Sequence, residues 1–377
     1  MAKEITANDH FIKSFEIKKF YDIQDTGVIE IGKNKQWIFI TGENGFGKTT
    51  LLKALAVGLS GRSIKKDNVE TNLLPEGDSI SVNLSSGKHY KGVKNKGIKN
   101  IVCYGSSRLQ LAQEEKFASN PIYSLFETNS YLLNIEQYLA TWNDKRLKIA
   151  DNKEDKKLQQ EFEKKFTTTK SILLDLLNIA AIEIDKQDNT VTYIDKYPDS
   201  TPYKKSLSFN ELAAGYQNII NIVGDFIIRL FKLNSKTYDA KDLTGIVIID
   251  EFDLHLHPKW QRRFTELLTE FFPHIQFIVS THSPIPLLGA PENSVFLKVA
   301  KKEHIKIEEL SYIEIRNLTP NTILTSPLFD FEDLIPESHL ETEQLRTEET
   351  YKQMQVNDET KAFLKTIAQR IRNGEKL

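Results

Sequence analysis

The sequence predicts an α/β fold with a parallel core sheet, an antiparallel β-subdomain and a helical insertion. A glycine-rich loop at residues 42–49 joins an apolar stretch, residues 36–41, to a helical pattern that follows it. Apolar runs rich in β-branched residues at 245–249 and 276–280 are typical of parallel strands that are buried on both faces. A charged segment of helical pattern at residues 120–180 predicts the insertion or lid.

The glycine-rich loop fits the phosphate-binding pattern G-x-x-x-x-G-K-[ST], with the strand before it and the helix after it that this pattern requires. Backbone N–H groups of such a loop and the N-terminus of the following helix bind phosphate oxygens. Lys48 is predicted to contact the outer phosphates, and the Thr49 hydroxyl to coordinate magnesium. We therefore predict ATP and Mg²⁺ as cofactors, with nucleotide contacts from Gly42, Glu43, Asn44, Gly45, Phe46, Gly47, Lys48, Thr49 and Thr50.

The strands predicted outside the two core runs are short, and several of them alternate apolar with polar residues. Two of them precede the loop strand and predict the antiparallel β-subdomain. A long apolar helix is predicted at residues 218–233, ahead of the core run at 245–249. The further strands are predicted at residues 15–20, 28–31, 79–84, 98–104, 182–184, 191–194, 295–297 and 305–307.

Acidic residues end the first core run, and a histidine follows the second one. Asp250 directly follows the run at 245–249 and is predicted to lie beside the magnesium that Thr49 holds. Glu251 is predicted to polarise the attacking water, as a positioned carboxylate can. His282 is predicted to contact the γ-phosphate or the same water. The predicted metal ligands are thus Thr49 and Asp250, and the predicted catalytic residues are Glu251 and His282.

Composition sets limits on compartment and partners. The chain has 377 residues and a formal net charge of -2, which argues against a strongly basic nucleic-acid binder. The single cysteine, Cys103, excludes an intrachain disulfide and a cysteine-based zinc site, and fits a reducing compartment. No apolar run approaches the roughly 20 residues that span a bilayer, and the first residues lack the apolar core of a signal peptide. We expect a cytoplasmic protein without membrane contact.

Taken together, these motifs resemble those of ABC-class ATPases. The loop at 42–49 is similar to Walker A, residues 246–251 to Walker B, and residues 281–283 to the histidine switch. The resemblance covers residues 10–310 and is closest to soluble members of the SMC, RecF and OLD-like groups. It implies two copies that sandwich two ATP molecules, and hence a homodimer or a larger homo-oligomer. The signature motif that it implies, in contact with the ATP of the other copy, contains Leu212, Ala213, Ala214, Gly215 and Tyr216.

The signature departs from the family pattern at Ala213, where a serine is usual. A serine hydroxyl would bond the γ-phosphate across the dimer, and alanine cannot. Backbone N–H groups of the following helix remain available. We therefore expect slow hydrolysis, with ATP acting mainly as a switch that holds the dimer together.

Two loops are less well defined by the pattern. The Q-loop is expected at residues 104–108, although a glutamine occurs only at Gln110. Residues 254–258 correspond to the D-loop of the family. This assignment explains His255 and His257 without a metal site, because two histidines at this spacing on a loop are a weak ligand signal.

The sequence Leu-His-Leu-His-Pro-Lys-Trp-Gln at 254–261, with the signature and the switch, resembles the ATPase subunits of bacterial anti-phage systems such as Septu, PARIS and retron-associated ATPases. The resemblance implies a sensor or scaffold that controls a separate effector, expected to be a nuclease encoded nearby. No HNH signature or other nuclease centre is present in the sequence. We predict an ATPase head at 10–310, with the insertion at 120–180 inside it, and an acidic, helical C-terminal tail at 311–377.

Two other functions fit the same head. A DNA-repair or chromosome-maintenance ATPase of the RecF or SMC kind would bind DNA directly. Five lysines and no acid between Lys88 and Lys99 fit such a contact, and fit a solvated hairpin loop better. A transporter nucleotide-binding subunit is less favoured, because of the composition of the insertion and the D-loop histidines.

Overall fold

The computed structural model describes residues 8–60, 64–66, 69–71, 79–91, 97–108, 110–152, 156–196, 206–301, 303–331 and 351–372. The chain divides into two compact units, Met1–Asp330 and Phe331–Leu377. The helices are α1 (Lys48–Ser60), α2 (Ile135–Asn152), α3 (Lys156–Leu177), α4 (Ala214–Leu233), α5 (Pro258–Phe271), α6 (Pro320–Leu324) and α7 (Tyr351–Arg372). The strands are β1 (Ile12–Phe20), β2 (Ile23–Asp25), β3 (Ile29–Glu30), β4 (Trp37–Thr41), β5 (Ile64–Lys66), β6 (Val69–Thr71), β7 (Ser79–Leu84), β8 (His89–Lys91), β9 (Ile101–Tyr104), β10 (Ala181–Ile184), β11 (Val191–Ile194), β12 (Ser206–Leu207), β13 (Gly245–Ile249), β14 (Ile275–Ser280), β15 (Val295–Lys301) and β16 (Ile305–Glu309).

The core is a six-stranded sheet in the order β16-β15-β4-β14-β13-β9. All of its neighbouring strands run parallel except β16, which pairs antiparallel with β15. The predicted parallel core sheet is therefore confirmed. β4, which leads into the glycine-rich loop, is separated from β13 by β14 alone. This order brings the loop and the acidic end of β13 to the same edge of the sheet.

Alternating side chains of the sheet divide the apolar core into two clusters. On β4, Trp37 and Phe39 join one cluster with α3, α4 and α5. Ile38 and Ile40 join the other, with α1, β1 and β7. All four side chains are fully buried, and each such burial stabilises the fold by roughly 1.5–3 kcal/mol. Because both faces are covered, β4 is held rigidly and fixes the start of the loop.

The β-subdomain is a separate antiparallel sheet in the order β2-β1-β7-β8, with β3 also paired to β1. The predicted strands at 15–20, 28–31 and 79–84 lie in it. The sheet packs on α1 through the second apolar cluster. The antiparallel β-subdomain that the sequence predicts is thus present, with β7 and β8 as further strands.

The helical insertion is built from α2 and α3, which pack against α4. Trp142 of α2 makes an edge contact with Phe231 of α4 at 5.7 Å between ring centroids. Leu173 and Leu176 of α3 are fully buried in the same apolar cluster as α4. The insertion is therefore part of the core rather than a layer on its surface.

Residues 311–330, assigned to the tail from the sequence, lie in the first compact unit. Ile315, Ile323 and Leu328 are buried there. In the second unit, α7 lies within the segment predicted as a helical tail, and it exposes Phe363 and Leu364. The acidic residues 332–350 lie outside the described part of the chain. None of the described helices is long and apolar enough to cross a membrane.

Candidate nucleotide-binding site

The glycine-rich loop curls tightly between β4 and α1. Gly42 has φ 135, and a Cβ placed on it would lie 2.2 Å from the carbonyl oxygen of Val299 on β15. Only glycine therefore fits where the loop leaves the sheet. The buried Lys48 side chain folds back over the loop, and its Nζ donates hydrogen bonds to the carbonyl oxygens of Gly42 at 2.7 Å and Glu43 at 2.9 Å. The loop and its lysine thus form the compact cradle that a phosphate group requires.

Lys48 lies among acidic groups. Burial lowers the pKa of its ammonium group, while the carboxylates of Asp250, Glu251, Asp253 and Glu43 oppose that shift. A nearby polar partner is Nδ1 of His282, 3.5 Å from the Lys48 Nζ.

The pKa of His282 is lowered, first by burial and then by the Lys48 charge, against the opposing effect of nearby carboxylates. At neutral pH its imidazole is therefore neutral and has both a donor and an acceptor nitrogen. Such a ring can contact a phosphate oxygen or a water molecule beside the loop.

Asp250 lies where β13 ends, in contact with two hydroxyl groups. The Thr49 hydroxyl donates to Asp250 Oδ2 at 2.6 Å, and the Ser280 hydroxyl donates to Asp250 Oδ1 at 2.5 Å. Mg²⁺ in nucleotide sites takes one or two protein oxygens and completes its shell with phosphates and water. The Thr49 and Asp250 oxygens fit such an ion, and Ser280, which the sequence analysis did not select, orients the carboxylate.

Glu251 adopts a backbone conformation that is uncommon for a residue with a side chain. Its φ is 48, in the left-handed region that costs a residue other than glycine roughly 1–2 kcal/mol. Its N–H donates to Ser280 Oγ at 2.8 Å, and its carbonyl accepts from the Leu254 N–H at 3.0 Å. These bonds hold the turn at the end of β13 in one conformation.

The predicted signature motif forms the start of α4. Ser208 and Glu211 form a capping box around a single 3-10 turn, and the Gln217 side-chain amide donates to the carbonyl oxygens of Phe209 at 3.1 Å and Leu212 at 3.0 Å. Leu212 is buried. The remaining signature residues are accessible, with Ala213 and Ala214 exposed and Gly215 and Tyr216 partly so.

Within one chain, the signature contacts the predicted D-loop. A Cβ on Gly215 would lie 2.8 Å from the carbonyl oxygen of His255. The Asn218 amide donates to the Leu254 carbonyl oxygen at 2.9 Å. His255 and His257 themselves are exposed. The first turn of α4 and the loop after β13 are thus joined, while the described hydrogen bonds do not connect residues 212–216 with the glycine-rich loop.

The residue that sequence analysis missed in the expected Q-loop is Arg108. Its side chain is 1% exposed, and its guanidinium donates to the carbonyl oxygens of Asp250 at 2.5 Å and Glu251 at 2.6 Å. Gln110, by contrast, is exposed. The sequence signal for this role is an arginine shortly after the buried strand β9, because a buried arginine needs hydrogen-bond acceptors nearby.

Of the lysine cluster at residues 88–99, the described members Lys88, Lys91 and Lys99 are exposed. Lys94 and Lys96 lie outside the described residues. The turn at Ser85–Gly87 joins β7 to β8, so Lys88 and Lys91 lie in a hairpin of the β-subdomain, whereas Lys99 precedes β9.

Comparison with known proteins agrees with this geometry. The family model described as "AAA domain, putative AbiEii toxin, Type IV TA system" matches residues 224–286, a span that includes β13, Asp250, Glu251 and His282. The Septu protein PtuA of Bacillus mycoides is 28% identical over 355 residues, which are 87% of this chain and 46% of that protein. The retron Ec83 probable ATPase of Escherichia coli is 48% identical over 79 residues, 21% of this chain and 15% of that protein.

The chain is thus similar to ATPases of anti-phage defence systems. It spans less than half the length of these curated relatives. Among solved structures, an SMC head bound to the C-winged helix domain of ScpA matches with a TM-score of 0.45 and 15% identity over 80% of this chain and 98% of that one. The α/β assignment of this head rests on its own strand order.

Proposed function

We propose that the chain binds ATP with Mg²⁺ and hydrolyses it in a site that a second copy closes. The observation that carries this proposal is the 2.6 Å hydrogen bond from the Thr49 hydroxyl to Asp250. It brings the start of α1 against the carboxylate at the end of β13, across 201 residues of sequence. A phosphate loop beside a metal-binding carboxylate is the arrangement by which P-loop enzymes transfer phosphoryl groups.

In the proposed reaction, the loop N–H groups and Lys48 bind the phosphates and offset their negative charge. Thr49 and Asp250 would hold magnesium, which would supply further charge neutralisation. Glu251 accepts a proton from the water whose oxygen attacks the γ-phosphorus, while the bond from that phosphorus to the β–γ bridging oxygen breaks. His282, beside the Lys48 ammonium, orients the γ-phosphate or the water. The products are ADP and inorganic phosphate.

We propose a second copy because the signature residues are accessible and contact the predicted D-loop of their own chain rather than its glycine-rich loop. At the start of α4 the N–H groups of Tyr216 and Gln217 donate to the Ala213 carbonyl oxygen, so we propose that those of Ala214 and Gly215 bind the phosphate. Ala213 has no hydroxyl to add to them. We therefore propose slow hydrolysis, and rapid ATP turnover by the purified protein without any partner would contradict this.

The similarity to Septu PtuA and to retron ATPases supports a role in anti-phage defence. By that similarity we propose that the cytoplasmic ATP-bound dimer acts as a sensor or scaffold. Its output would be control of a separate effector, a nuclease encoded nearby.

The decisive experiment uses Glu251→Gln, which keeps the shape of the side chain and removes its basicity. With ATP and Mg²⁺, this variant should bind nucleotide, hydrolyse it only at a small residual rate that single-turnover assays can measure, and give at least twice the monomer mass by light scattering. Pulled down from cells that carry its native operon, it should retain the effector. Lys48→Ala is the matched control, and it should neither bind ATP nor change mass.

Each part of the proposal has its own contrary outcome. A Glu251→Gln protein that binds ATP and stays monomeric would contradict the shared site. A dimer that retains no partner would contradict effector control. If the protein instead binds DNA with an affinity that falls steeply with salt, the direct DNA role applies, because phosphate contacts release counterions.

A further inference from the structure

Arg108 carries a buried charge that, within the described part of the chain, is hydrogen-bonded to carbonyl and amide oxygens rather than to a carboxylate. Its Nε donates to Asn218 Oδ1 at 2.8 Å, and its two terminal nitrogens donate to the carbonyl oxygens of Gly105, Asp250 and Glu251. Desolvating a cation is costly unless surrounding groups compensate for it. Burial lowers the pKa of Arg108 to about 10, with the nearby acidic side chains opposing that shift, so the group stays charged at neutral pH.

The contacts of Arg108 fall on the segment whose geometry the reaction needs. Consecutive carbonyl oxygens of Asp250 and Glu251 accept from the two terminal nitrogens of one planar guanidinium. The Glu251 carbonyl belongs to the residue with φ 48. Arginine presents several donors in a fixed fork, whereas lysine presents one compact charge. The fork therefore specifies the orientation of two successive peptide groups at once.

The same guanidinium reaches the signature helix. Asn218 lies in the first turns of α4 and accepts from Arg108 through Oδ1, while its amide nitrogen donates to Leu254 in the D-loop. Asn221, one turn further along, donates to the Arg108 carbonyl oxygen at 3.3 Å. Arg108 is thus bonded both to the end of β13 and to the helix that begins with the signature motif.

We propose that Arg108 is a positioning residue that sets the orientation of Glu251 for proton abstraction and ties it, through Asn218, to the signature helix. The proposal rests on the ATPase function proposed above. It assigns Arg108 to the chemical step, since two of its hydrogen bonds are to the Asp250 and Glu251 backbone and none of its hydrogen bonds within the described residues is to the glycine-rich loop. Changes at Arg108 should therefore lower turnover and leave ATP affinity in place.

The test compares Arg108→Lys with wild type, with Glu251→Gln and with the double variant, in single-turnover assays with excess protein and radiolabelled ATP. Misplacing a catalytic group by about 1 Å costs about 100-fold in rate, so Arg108→Lys should lose about that factor, with ATP affinity within about threefold of wild type. In the Glu251→Gln background the same change should cause no further loss. Arg229→Lys, at a buried arginine paired with Asp225, is the control for the substitution itself and should keep wild-type turnover.

A second pair of variants covers the case in which Arg108→Lys does not fold. Asn218→Ala removes both the acceptor for Arg108 and the donor to the Leu254 carbonyl oxygen, and should lower turnover about tenfold. Asn218→Asp loses only the donor to Leu254 and keeps an oxygen acceptor for Arg108, so it should restore most of that loss.

The outcomes separate the two proposals. If wild type binds ATP and never turns it over, both fall. Three results with an active wild type would contradict the positioning role and leave the ATPase function standing. Arg108→Lys could have the turnover of wild type, it could lose ATP affinity rather than turnover, or it could lower turnover further in the Glu251→Gln background.

Discussion

Replacing Gly42 with alanine should destabilise the nucleotide-free head far more than the same change at Gly45. Both glycines have positive φ, 135 at Gly42 and 78 at Gly45. They differ in the space around them. A Cβ on Gly42 would meet the Val299 carbonyl oxygen at 2.2 Å, whereas nothing lies within 4 Å of a Cβ on Gly45. The pair therefore separates the cost of backbone conformation from the cost of close packing.

The expected magnitudes follow from those two terms. At Gly45 only conformational strain applies, about 1–2 kcal/mol for a left-handed residue with a side chain. At Gly42 strain of about 1–3 kcal/mol is joined by a displacement of β15, which must weaken at least one hydrogen bond worth about 1 kcal/mol. We expect a loss of about 1 kcal/mol for Gly45→Ala and about 3 kcal/mol for Gly42→Ala.

Thermal unfolding without nucleotide is the assay, because it excludes any effect on ATP binding. For a large domain, about 1 kcal/mol corresponds to roughly 2–4 °C in Tm. Gly45→Ala should thus lower Tm by about 2–4 °C, and Gly42→Ala by about three times as much. Equal shifts for the two variants would refute the argument, since they would show that β15 moves away at no cost.

Two further predictions concern groups away from the loop. Burial lowers the pKa of His10 below its ordinary value of 6.5, so the unfolded chain binds a proton more readily and stability should fall as pH drops through about 6.5. The free energy of unfolding in urea should therefore differ less between pH 7.5 and pH 5.5 for His10→Gln than for wild type. An equal difference in the two proteins would contradict the assignment. Cys103 is fully buried, which raises the pKa of its thiol. Alkylation of this thiol should be roughly 10³-fold slower in the folded protein than in urea, and rapid labelling of the folded protein would show that β9 opens locally.

The parts of the site that sequence predicts well are those that lie close together in the chain. The glycine-rich loop, its strand and its helix occupy about 25 consecutive residues, and their pattern alone implies the geometry. The acidic end of β13 is equally local, because a continuous apolar run is followed at once by Asp250 and Glu251. The apolar runs of β13 and β14 predict strands that are buried on both faces, as in a parallel sheet. The strand order of the core sheet confirms this prediction.

The parts that sequence did not predict depend on contacts between distant residues. Arg108 meets the Asp250 carbonyl across 142 residues, and Ser280 meets its carboxylate across 30. No sequence motif relates Arg108 or Ser280 to Asp250, so the sequence does not reveal these contacts. In the stretch predicted as the Q-loop, residues 104–108, the buried side chain that reaches the end of β13 is Arg108 rather than a glutamine. The segment predicted as an insertion or lid packs Leu173 and Leu176 of α3 into the core.

The least local feature is the junction between the signature and the D-loop. Gly215 approaches His255 so closely that a Cβ would lie 2.8 Å from its carbonyl oxygen, and His255 itself has φ 64. Asn218 bonds both Arg108 and Leu254, so the first turns of α4 cannot shift without disturbing the end of β13. In the proposed shared site, the surface that would contact a second ATP and the carboxylates that would act on the first one therefore belong to one hydrogen-bonded junction. In a shared site, such a junction would let the occupancy of one nucleotide position bias the geometry of the other, even where Ala213 contributes no hydroxyl.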